Sequence, residues 1–156
     1  MKKHTLKILS IFFLLITAQF ANANPVINEA DAPQFLYTMS AKSGTYKDGV
    51  LTMNDVPLVV YFSDRPARIS GQLSIQVFEQ GWNEQPGSLD NDPPNATLSI
   101  LADDEDTNVV IELSDPKVKV KEGDILFKVR VLKGELPETF GNSTLFIDGS
   151  ICEPCL

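Results

Sequence analysis

Histidine is almost missing: the 156 residues contain one, His4. Cysteine is nearly as scarce, with Cys152 and Cys155 at the very end. The single long apolar run, ILSIFFLLITA, lies near the N-terminus behind the basic start MKKH, and Ala21-Asn22-Ala23 follows it with small-x-small spacing. Such a run is too short for a membrane span and has the build of a secretory signal cleaved after Ala23. His4 would leave with it. A chain without histidine builds no Ser-His-Asp or Cys-His site and no histidine-ligated zinc or copper centre.

Positive charge is the next shortage. Of 13 basic residues, Lys2, Lys3 and Lys7 precede the cleavage point, which leaves ten against 21 acids, a balance of −11. A surface of that sign repels nucleic acid and anionic lipid and suits cations or basic partners. The expectation is an exported protein, periplasmic or secreted, soluble and acidic, with no membrane insertion after cleavage.

What is present is β pattern. Residues 24–33 read as a flexible leader of small and polar residues. QFLYTMSAKSG and GVLTMNDV are apolar-rich segments with the turn-like SGTYKDG between them, and PLVVYF reads as a strand buried on both faces. Leu73 to Trp82 is ambiguous. Leu73, Ile75 and Val77 alternate as in a strand, while Ile75, Phe78 and Trp82 fall on one helical face, with Ser70 or Ser74 available as a cap. Helix is the expectation, and it puts Trp82 in the core rather than on a sugar-binding surface. Asn83 to Asn95 is loop, dense in Pro, Gly, Asn and Asp.

Beyond it ATLSILA, NVVIELS, KVKVK, DILFKVRV and STLFIDG read as short strands separated by DDEDT, DPK and EGD. The whole predicts a mainly β chain: a single antiparallel sandwich or barrel-like domain over 34–151 with one short helix. A signal over 1–23 precedes it and a cysteine-containing tail over 152–156 follows.

Three places carry candidate chemistry. In YFSDRPARISG, Tyr61 to Gly71, Arg65 and Arg68 form a fork for a carboxylate or phosphate, with Asp64 orienting one of them. The plainer alternative, which the abundance of acids favours, is a strand end whose arginines pair with the protein's own carboxylates. Asp104, Asp106 and Asn108 match the first, third and fifth places of a calcium loop, and Asp90 and Asp92 could add oxygens. The match then fails, with Val109 in the glycine place and Asp115 in the glutamate place. Cys152 and Cys155 predict a local disulfide in an oxidising compartment rather than a redox centre, because only Leu156 follows and no helix can form there. Ser114-Asp115-Pro116-Lys117 matches S-x-x-K, but a proline between strands predicts a turn.

VVYFSDRPARISG, Trp82, DNDPPNATLSIL and LFID together resemble a family of small exported bacterial proteins. Its members share an LYFSDRP-type segment, a tryptophan after a short helix, a DPPNA-type segment and a closing LFID strand. The resemblance implies the helical reading of Leu73 to Trp82 and implies no activity; ICEPCL departs from the pattern. The expected function is a non-enzymatic binding or interaction module for a protein or small ligand. The alternatives are a calcium-binding exported protein, or a hydrolase using carboxylates or a bound cation.

Overall fold

The computed structural model describes residues 33–83, 89, 91–102 and 107–149. Among these are ten strands and one helix: β1 Phe35–Ala41, β2 Ser43–Lys47, β3 Val50–Asn54, β4 Val59–Ser63, β5 Ser70–Leu73, α1 Ile75–Asn83, β6 Asn95–Ile100, β7 Thr107–Lys119, β8 Asp124–Lys133, β9 Thr139–Phe140 and β10 Ser143–Asp148. The strands form one continuous sheet in the order β5-β4-β1-β10-β6-β7-β8-β3-β2-β9. Every neighbouring pair is antiparallel. The mainly β reading with one short helix is correct.

Alternation decides which face is inside. Phe35, Tyr37 and Met39 of β1, Val109, Ile111 and Leu113 of β7, and Leu145 and Ile147 of β10 are all buried, with less buried residues between them. This is the period-two pattern of a sheet solvated on one side. The sheet curls around that inner face. Tyr37 on β1 and Phe127 on β8 are far apart in strand order, yet both rings lie against Phe78 of α1, at 5.6 and 6.5 Å.

The helix begins where a side chain can satisfy its first free amide. The Val77 N–H donates to Ser74 Oγ at 3.2 Å, and the Phe78 N–H to the Ser74 carbonyl at 3.0 Å. Ser74 is thus the N-cap. Ile75, Phe78 and Trp82 are its buried stripe. Leu73 belongs instead to β5, as does Ser70. The helix also covers an open strand edge, because Glu79 Oε1 accepts the Val118 N–H at 3.2 Å.

Three local expectations are corrected. SGTYK is strand β2, paired from Ser43↔Asn54 to Lys47↔Val50, and only Asp48-Gly49 turns. Both turn residues have positive φ (51° and 79°), the conformation of a two-residue type I′ hairpin. DPK is not a turn, since β7 runs through it. Between the pairs Ser114↔Lys128 and Lys117↔Leu126, Asp115 and Pro116 oppose Phe127 alone. That is a β-bulge, with Asp115 at φ 48° and Pro116 where no ladder N–H is required. PLVVYF is not buried on both faces: Val59 is buried, whereas Val60 and Phe62 are 37% and 42% exposed.

Candidate recognition surface

The segment after β4 is tied down by its own backbone. The Asp64 N–H donates to the Gln34 carbonyl at 3.0 Å, and the Asp64 carboxylate accepts the Gln34 N–H at 3.3 Å. The Arg68 N–H closes back on the Asp64 carbonyl at 3.1 Å. Ser63 receives the far side: its N–H donates to the Ile69 carbonyl and its Oγ accepts the Ile69 N–H, both at 2.8 Å. The Arg65-Pro66 peptide is cis and Arg68 has a φ of 55°. Asp64 therefore faces β1, and both arginines sit exposed on the loop between β4 and β5. None of the five ion pairs among the described residues uses Arg65 or Arg68.

The distinctive polar segments meet at one end of the sheet. Asp64 follows β4, Asp148 ends β10, and Asp92-Pro93-Pro94 leads into β6. They line two adjoining depressions that share Gln34 and Asp148. The first, about 270 Å³, has Phe62 and Asp64 on its wall; the second, about 400 Å³, has Asp92, Pro94 and Asn95. A Cβ on Gly149 would come within 2.9 Å of Leu89 and 3.1 Å of Pro94, so glycine lets the loop before β6 close onto the end of β10.

Next to this rim the outer face is apolar. Leu36 lies between Phe62 and Asp148 in the ladders, and Thr38 lies between Val60 and Phe146. Thr97 then links Phe146 to Val110. Val60 and Phe62 on β4 and Phe146 on β10 are large exposed apolar side chains flanking β1. A depression of about 230 Å³ lies beside Phe146, between Leu36, Thr97 and Val110. The sequence did carry a signal for this strip. VVYF and LFI are unbroken apolar runs in strands whose burial alternates, so their out-of-phase members Val60, Phe62 and Phe146 face outward.

The acidic loop is only partly described. Asp104 and Asp106 lie outside the described residues, as do Asp90, Cys152 and Cys155. Asn108 is already in the ladder, opposite Ser99. The positions that would complete a calcium loop run along extended β7, and its acids have other partners. The Glu112 carboxylate accepts Arg130 Nε at 3.1 Å, with Nη2 beside its second oxygen. Asp115 contacts Lys128 at 2.9 Å and Lys117 at 3.1 Å.

Lys128 first, then Lys117, hold the Asp115 carboxyl below its ordinary value, and Glu112 holds the Arg130 guanidinium above its own. A depressed acid contributes stability above its unfolded pKa, about 3.9, and loses it as pH falls through the folded value. Asp115→Asn, which keeps a residue tolerant of positive φ, should cost less than about 1 kcal/mol at pH 7 because the pair is exposed. That difference should shrink in urea unfolding as pH falls below about 3.9 and through the depressed folded value.

Fold and surface together define a curled antiparallel β-sheet protein with one packed helix, an apolar outer strip and a polar rim. The chain matches no family model, no curated protein and no solved structure.

Proposed function

We propose that this chain is an exported, non-enzymatic interaction module that recognises its partner through the outer faces of β4, β1 and β10. One observation carries the reading: Val60 and Phe62 on β4 and Phe146 on β10 are exposed on either side of β1, with Leu36 of β1 between them and Val110 beyond Thr97. A contiguous apolar patch of this kind exposes area that water disfavours, and such patches mark interaction sites. Its place beside the Asp64, Asp92 and Asp148 rim supports the same reading, because recognition surfaces pair an apolar centre with a polar border.

Photo-cross-linking in the cells that make the protein tests it, with benzoylphenylalanine at Phe62 or at Phe146. Val120, 64% exposed on the turn between β7 and β8, is the control position. Discrete adducts are expected at the first two positions and none at the third, and Phe146→Asp should abolish the adduct formed from position 62. Identical adduct patterns at all three positions, or no adduct at any, would sink the proposal.

A further inference from the structure

Among the described residues the sheet ends in two edge strands, β5 and β9, and they are not equivalent. β9 is two residues long, follows Pro137 and Glu138, and lies beside the β2 strand that carries Lys47. Proline, charge and short length are the usual guards against a further strand. β5, Ser70-Gly71-Gln72-Leu73, has no charge, no proline and no bulge, and pairs in unbroken register from Phe62↔Ser70 to Val59↔Leu73.

The directions of its amides follow from the ladder. The Ser63–Ile69 hydrogen bond makes Tyr61/Gly71 and Val59/Leu73 the bonded pairs, so Ser70 and Gln72 turn their N–H and C=O groups outward. The opposite side of β4 agrees, since the Asp64–Gln34 bond puts its even-numbered residues on β1. At the Ser70 end of this edge stand Arg65 and Arg68, exposed and outside the described ion pairs, while the Asp64 carboxylate is turned to Gln34.

We propose that β5 accepts a short extended peptide as an eleventh, antiparallel strand, with an acidic group at the peptide's C-terminal end held by Arg65 and Arg68. Antiparallel addition brings the incoming C-terminus to the loop side. The amides of Ser70 and Gln72 then supply main-chain hydrogen bonds, and the guanidiniums recognise a carboxylate. This deepens the reading of the chain as an interaction module and names the class of partner.

The test is selection of short random peptides on the signal-free protein, displayed with their C-termini fused to the carrier so that only Asp or Glu can supply the carboxylate. Selected peptides should carry a carboxylate at the C-terminal side and should lose binding when proline is placed at their centre. Arg65→Ala with Arg68→Ala should weaken them at least about tenfold. Gln72→Pro, which removes an outward N–H and leaves the bonds to β4, should abolish binding without moving the melting temperature. No selected peptide, selected peptides without an acid, or affinity unchanged in the double arginine variant overturns the inference. If cross-links at Phe62 and Phe146 persist in that case, the edge proposal fails alone; if peptides bind and cross-links are absent, the apolar strip is what fails.

Discussion

Trp82→Ala is expected to cost about 3–5 kcal/mol, the range for removing a large buried aromatic. Against a typical domain stability of about 5–15 kcal/mol this leaves a barely folded chain. Trp82 is fully buried, with ring centroids 5.7 Å from Phe78 and 6.0 Å from Phe127. Those contacts connect α1 to β8 while Phe78 reaches Tyr37 on β1, so one side chain helps hold two distant parts of the sheet together. The indole Nε1 is buried with no acceptor among the described residues. An unsatisfied donor costs about 1–3 kcal/mol of desolvation. Trp82→Phe therefore loses packing area but also sheds that penalty, and should cost less than half as much as the alanine variant. Urea unfolding of both variants measures the difference. An alanine variant within about 1 kcal/mol of the parent would mean that the helix does not brace the curl.

Much of this architecture was legible because burial follows period. Ile125, Phe127, Val129 and Val131 on one side, with Lys128 and Arg130 on the other, specify a half-buried strand. The Ile75, Phe78 and Trp82 stripe behind Ser74 specifies a helix. The corrected elements share a cause: in each, backbone geometry overrides what composition suggests. Ser43 to Gly49 is rich in turn residues, yet Asp48-Gly49 alone satisfies the hairpin and Thr45-Tyr46 continue the strand. Pro116 suggested a break, but a bulge needs no N–H at that position. The continuous apolar run PLVVYF suggested burial on both faces because most such runs are buried. Here the run sits one strand from the sheet edge, and half of it is the surface.

The candidate site was readable only in parts. Arg65 and Arg68 stand out in the sequence, and SDRP, DPPNA and LFID stand out as segments. Their meeting at one end of the sheet depends on β10 lying between β1 and β6, a long-range order that local pattern does not encode. The openness of β5 was equally hidden, since an edge is defined by what fails to pair with it. One device does recur at both edges. The Tyr61 ring covers Gly71 across β4 and β5, and the Phe140 ring covers Gly44 across β9 and β2. An aromatic laid over a cross-strand glycine supplies the side-chain contact that glycine lacks, where no further strand helps.

That arrangement makes Gly44→Ala the second large prediction. A Cβ at Gly44 would collide with the Phe140 ring and stand 2.7 Å from the Thr52 carbonyl oxygen. The ring can swing away. The carbonyl belongs to β3, which is held between β2 and β8, and cannot move without disturbing both ladders. Overpacking against a fixed neighbour costs about 1–3 kcal/mol, and that is the loss expected in urea unfolding. Phe140→Ala alone should cost less, because Phe140 is only partly buried. The double variant separates the two collisions. If the ring were the whole obstacle, the double variant would be no less stable than Phe140→Ala. A persistent deficit of about 1 kcal/mol relative to Phe140→Ala assigns the remainder to the Thr52 carbonyl, and this is the expected outcome. Amide exchange reports the same event locally. The Tyr46 N–H, bonded to the Glu138 carbonyl at 3.0 Å, should exchange faster in Gly44→Ala once the covering ring is displaced. The Tyr61 N–H, at the opposite edge of the sheet, should keep the protection of the parent protein.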